Sequence, residues 1–189
     1  MKNFIAVIVI AAALFAITVP AMACTTILVG KDASADGCAY AGRTNDMTEM
    51  CSAKPEILPV SEEEGSFEYV GPENGFTLDL QKTTRRCVIV PDYSSSPDLW
   101  WEAAFNDAGV GISATGTIGI NEKVLTVDPF TETGLSEGNI PRLILPYISS
   151  AKEGVLRMGS MIEQYGITAS EAVAFNQNHR LNRWFDQAL

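Results

Sequence analysis

The stretch PAMACTTILVG, residues 20–30, sets a cysteine directly behind a small-x-small triplet and at the head of a β-prone run. Its reading decides where the folded domain begins. Upstream, Phe4 to Val19 is apolar except for Thr18 and follows a single positive charge at Lys2. A charge, an apolar run and then Ala21-Met22-Ala23 form the pattern of an export leader cleaved after Ala23. The run is short for a membrane span, which needs about 20 apolar residues. Residues 1–23 are therefore expected to be a signal peptide, and residues 24–189 to form one domain that opens on Cys24. The protein is expected to be periplasmic or extracellular, with no stable membrane association after cleavage. The competing outcome for such a cysteine is a lipid anchor, which would block the thiol; the residue three before Cys24 is Ala21, where lipidation sites commonly carry leucine.

The formal net charge of the 189-residue chain is −10. That balance argues against nucleic acid or an anionic membrane surface as partner, and it does not name a substrate. The four cysteines, Cys24, Cys38, Cys51 and Cys87, show no C-x-x-C spacing, and His179 is the single histidine. A Cys/His zinc site thus has too few ligands. No metal or organic cofactor is expected. Export permits disulfides, but the pairing among Cys38, Cys51 and Cys87 cannot be read from spacing.

Downstream of Cys24, short β-prone runs alternate with turn residues: Thr25–Gly30, Cys38–Thr44, Ile57–Val60, Phe76–Leu80, Cys87–Pro91, Trp101–Phe105 and Val110–Ile118. They read as a meander of strands, with SEEEGS and GPENG as loops between them. From Asn139 the period changes to about 3.6, and Ile140, Leu143, Ile144, Ile148, Ala151, Val155, Met158 and Ile162 fall near one helical face. Asn139 is placed as a cap with Pro141 in the first turn, and Pro146 should break the helix. Ser150-x-x-Glu153 writes a second helix start as a capping box, and Gly166 an end. One further strand is expected at Ala172–Phe175. Strands first and helices later imply an α+β layered domain.

A cysteine in first position joins a thiol of pKa about 8.5 to an α-amine of pKa about 7.7–8.0. Nucleophile and base then belong to one residue, and no histidine is required. The hairpin formed by Thr25–Gly30 and Cys38–Thr44 should bring Arg43-Thr44-Asn45-Asp46 beside that terminus. If Gly30 pairs with Cys38, Cys24 lies across from Thr44; a one-residue slip puts it across from Arg43. Arg43 would favour the thiolate, and Asp46 would orient the ammonium. The plainer alternative for these two is a surface ion pair of little worth. Asn106-Asp107-Ala108-Gly109 is first of all a tight turn between strands.

CTTILVGKDASADG, then AGRTNDM, WWEAAFNDAGVGISATGT and GLSEGNIPRLILPYISSAKEGV, in that order, resemble the secreted cysteine dipeptidases of the dipeptidase A and secernin group. These are N-terminal-nucleophile (Ntn) hydrolases, and the resemblance implies an αββα sandwich that hydrolyses dipeptides. It carries the nucleophile onto Cys24. The broader group, which includes penicillin V acylase and bile-salt hydrolases, places Arg43 and Asp46 beside it and matches Asn106, Asp107 and Gly109. An oxyanion donor falls within Ser113–Gly116, and the later active-site Asn and Arg have no counterpart before Leu189. The chain therefore looks like the N-terminal portion of such a domain, with the sandwich incomplete at its C-terminal end. The expected catalytic set is Cys24, Arg43, Asp46 and Asn106, acting on a dipeptide; homo-oligomerisation is left open. The alternatives are a linear-amide acylase and a non-catalytic, lipid-anchored envelope protein.

Overall fold

Asp36 and Gly37 close the first hairpin. The Asp36 carboxylate accepts from the Cys38 amide at 3.0 Å and from the Tyr40 hydroxyl at 2.7 Å. Those donors hold its carboxyl down at about 2, the Tyr40 hydroxyl contributing most. Gly37 supplies the left-handed turn at φ +70°. The computed structural model describes residues 24–44, 54–61, 65–82, 85–91, 101–115, 119–169 and 172–177.

Nine strands and three α-helices are described. The strands are β1 (Thr26–Val29), β2 (Tyr40–Arg43), β3 (Glu56–Leu58), β4 (Ser66–Val70), β5 (Thr77–Gln81), β6 (Cys87–Pro91), β7 (Trp101–Asn106), β8 (Val110–Thr115) and β9 (Ala172–Gln177). The helices are α1 (Glu122–Leu125), α2 (Ile140–Ile144) and α3 (Ala151–Tyr165). Among the described residues, none of them is long and apolar enough to cross a membrane.

The expected meander is only partly realised. Strands β3-β6-β7-β8-β9 form one antiparallel sheet in that order, while β1–β2 and β4–β5 are separate hairpins. Strand β4 falls in a stretch with no anticipated strand, because Tyr69 alone of its five residues is buried and no alternation marks it. The closing strand β9 runs two residues past the expected end and pairs with β8 over six positions.

Helices α2 and α3 cover one face of the five-stranded sheet. Leu143, Ile144, Leu145 and Ile148 are at most 1 % exposed and pack with Val110, Ile112 and Ala104. Each such side chain contributes about 1.5–3 kcal/mol by leaving water. Pro146 does end α2, converting the chain to a 3-10 turn over Leu145–Tyr147. Ser150 caps α3 by accepting from the Glu153 amide at 3.2 Å, and Glu153 reaches back to the Ser149 amide at 2.7 Å. Gly166 ends the helix at φ +71°.

Two helical expectations need correction. Asn139 makes no side-chain cap to α2; its oxygen accepts from the Ser136 amide instead. Val155 is 51 % exposed, and the buried stripe of α3 runs through Gly154, Met158, Met161 and Ile162. The Pro146 break restarts the helical phase, so a period extrapolated from Ile140 points the wrong way.

Hairpin β1–β2 lies on the opposite face. Thr26 Oγ1 and Ser113 Oγ meet at 3.3 Å across the gap, and Arg43 reaches the carbonyls of β7 and β8. Helices, large sheet and hairpin thus stack as an α-β-β order within an α+β domain. This is three-quarters of the anticipated αββα arrangement; a second helical layer is absent among the described residues.

Candidate active site

Cys24 lies two residues before the first residue of β1 and is half-buried. The hairpin register is one step away from the first pairing considered from sequence and two steps from the second. Thr26 pairs with Arg43, and Thr25 faces Thr44, with the Thr44 amide bonding the Thr25 carbonyl at 2.9 Å and the Thr25 amide bonding Thr44 Oγ1 at 3.0 Å. Neither Thr44 nor Arg43 therefore lies directly across from Cys24. The last pair before the turn is Val29 with Tyr40, so Gly30 and Cys38, anticipated as partners, both fall in the connection. Alternation along β1 still puts Cys24 on the side of Thr26, which is also the side on which Arg43 reaches the sheet.

Arg43 is committed on all three nitrogens. Its Nε donates to the Thr44 carbonyl at 3.3 Å, Nη1 to the carbonyls of Ala114 (2.7 Å) and Glu102, and Nη2 pairs with the Glu102 carboxylate. The side chains of Arg43 and Glu102 are only 11 % and 7 % exposed. Glu102 reaches this side because of a β-bulge. Val90 pairs with Ala103 and Pro91 with Trp101, so Glu102 is the extra residue in β7. Trp101 consequently turns toward the helices, where the Arg142 guanidinium lies 5.5 Å from its ring. Sequence reading assigned Glu102 no role. The signal was present, since WWEAAF sets one carboxylate inside an apolar strand.

Asn106 is fully buried on the other face and is not brought together with Cys24 and Arg43. Its Nδ2 donates to the carbonyls of Leu145 (3.0 Å) and Ile148 (2.8 Å), and its Oδ1 accepts from the amides of Ala108 (3.1 Å) and Val110 (3.0 Å). Two donors and two acceptor positions are all an asparagine side chain has. It is a backbone lock that ties the β7–β8 turn to the bend around Pro146. Gly109 completes that turn at φ +73°. Asp107 binds the Arg86 amide and Arg85 at 3.1 Å each.

Asp46, Cys51, Trp100 and Gly116 lie outside the described residues. Of the segment Ser113–Gly116, where an oxyanion donor was expected, Ser113 to Thr115 belong to β8 and pair residue by residue with Ala174 to Ala172. Cys87 is a buried thiol pushed up to about 12, chiefly by burial, with Asp107 adding to the shift and Arg85 opposing it. Among the described residues, no three His, Cys, Asp or Glu side chains cluster to hold a metal. A cavity of about 40 Å³ separates hairpin and sheet, walled by Leu28, Ala41, Ala103, Phe105, Ile112 and Ala174.

Fold and seam together define a layered α+β domain with a cysteine leading the hairpin over a buried charge pair. The chain belongs to peptidase family C69, whose family model matches residues 23–185. It is 41 % identical over 158 residues to a protein named probable dipeptidase A from Streptococcus pyogenes serotype M3 (strain SSI-1), covering 84 % of this chain and 34 % of that one. It is 35 % identical over 172 residues to a dipeptidase of Bifidobacterium longum (strain NCC 2705), covering 85 % and 32 %. The chain thus spans about a third of the length of these relatives. A solved penicillin V acylase from Agrobacterium tumefaciens superposes with a TM-score of 0.49 at 11 % identity, covering 83 % of this chain and 50 % of that one.

Proposed function

We propose that this chain carries the nucleophile-bearing part of an exported cysteine-type dipeptidase, with Cys24 as its first residue after leader removal. The observation that carries the reading is the family match, which starts at residue 23, at the junction between the apolar run and Cys24. The names of the relatives support dipeptides as the substrate class.

In the proposed reaction the Cys24 sulfur attacks the carbonyl carbon of the dipeptide, and the α-amine of the same residue takes the thiol proton. The C–N bond then breaks, the proton passes to the leaving amine, and a thioester remains on Cys24. Water, deprotonated by the same α-amine, hydrolyses the thioester and restores the thiol. Hairpin β1–β2 supports this assignment by holding Cys24 beside the seam through its Thr25–Thr44 bonds.

The test has two parts. Mass spectrometry of the exported protein is expected to show an unmodified N-terminus at Cys24, and Cys24→Ala is expected to abolish dipeptide hydrolysis. An acylated cysteine, or hydrolysis that survives the alanine change, refutes the mechanism. A panel of dipeptides beside acyl amides separates dipeptidase from acylase chemistry.

A further inference from the structure

The proposed chemistry uses the thiol and the amine of Cys24 and leaves Glu102 without a task. Yet Glu102 is a carboxylate at 7 % exposure in an otherwise apolar strand. Burying such a group is costly unless it is paired. An unbulged β7 would send it into the apolar helix layer; the bulge turns it to the seam and onto Arg43.

The partner matters as much as the carboxylate. Cys24 lies on the same side of the hairpin as Arg43, since Thr26, two residues further on, pairs with Arg43. An uncompensated guanidinium on that side, roughly 7–8 Å from the sulfur, would favour thiolate by about one pH unit. Here the charge is cancelled at its source, and every guanidinium nitrogen is committed.

We propose that Glu102 is a positioning residue of the Cys24 site: it cancels the Arg43 charge and pins the guanidinium to β7 and β8, so that the hairpin is anchored without a net cation beside the sulfur. The inference rests on Cys24 being the nucleophile. Its consequence is that the sulfur meets the Arg43 charge only when Glu102 is removed. Among the described residues, the charged groups at the seam are Arg43 from β2 and Glu102 from β7; β1 contributes Thr26, β8 Gly111 and Ser113, and β9 Ala174, all uncharged.

The experiment follows the rate of iodoacetamide alkylation of Cys24 against pH in the full chain, read by mass spectrometry on the peptide that carries it. Glu102→Gln uncovers the guanidinium and is expected to move the alkylation midpoint down by about one pH unit. Glu102→Asp is expected to keep the parent midpoint, and Arg43→Gln with Glu102→Gln to return to it. An unmoved midpoint in a folded Glu102→Gln protein overturns the proposal, because a merely structural residue would lower stability and leave the titration alone. If Glu102→Gln fails to fold, the double variant decides: a midpoint equal to the parent's upholds the proposal, and a midpoint raised by about one pH unit, which would mean that the Arg43 charge already acts on the sulfur in the parent, overturns it; if both variants fail to fold alike, it falls. Hydrolysis that survives Cys24→Ala would remove the nucleophile assignment while leaving these midpoints readable.

Discussion

The two faces of the five-stranded sheet are closed by opposite means. Toward the helices, Leu143, Ile144, Leu145 and Ile148 shut out water almost completely. Toward the hairpin, the joint is a hydroxyl contact and an ion pair, while Ile27, Leu28 and Tyr40 remain at least 50 % exposed. Apolar packing gives the first face its stability. Directional bonds give the second its register.

The largest effect is expected from breaking the helix side at the buried Asn106 lock. Asn106→Leu strands two carbonyls and two amides in a dry interior. At about 1–3 kcal/mol for each orphaned group, the loss should exceed about 4 kcal/mol. Urea unfolding measures it, and a loss under about 1 kcal/mol would contradict the lock. On the hairpin side, Glu102→Leu leaves Arg43 buried and uncompensated and should cost about 3 kcal/mol. Adding Arg43→Met should recover most of that cost, a coupling that a double-mutant cycle reads directly.

Gly154→Ala tests how tightly the helices sit. A methyl group there would press on the Phe175 ring and Ile148, so about 1–3 kcal/mol should be lost by overpacking. A milder contrast concerns the thiols. Cys87 keeps its proton in the fold up to about pH 12, whereas the unfolded thiol releases it near about 8.5. Below that lower value both states hold the proton and nothing is gained or lost. Above it the folded state binds more protons, so stability should fall by up to about 1.4 kcal/mol per pH unit as pH rises toward 12. Denaturation at pH 8 and pH 10, in parent and Cys87→Ala, checks the sign. Ile27→Ser, on the exposed side of the hairpin, is expected to change stability by no more than about 0.5 kcal/mol, as thermal melts would show.

Local chemistry was legible in the sequence wherever one residue type has one physical use. Asp36-Gly37, Pro146, Ser150-x-x-Glu153 and Gly166 all act where their geometry predicts. Register was not legible, because it depends on how many residues a connection consumes: the connection takes in Gly30 and Cys38, and Cys24 is off both anticipated partners. The bulge at Glu102 was hidden for a similar reason. It inverts the inside-outside order of β7 midway, so simple alternation would aim Glu102 at the wrong layer. Asn106 was read from a resemblance as part of the reactive set, whereas its four bonds to backbone declare another use. Asp46 lies outside the described residues.

The Asn106 side chain also has a kinetic meaning. The β7–β8 turn spans only a few residues and can form early, yet its final bonds are to carbonyls 39 and 42 positions further along the chain. Completing a nearby structure thus waits on a distant one, and such loop closure slows the approach to the native state. Stopped-flow refolding of an Asn106 variant would reveal whether that junction is made before or after the rate-limiting barrier, through whether the folding or the unfolding arm moves.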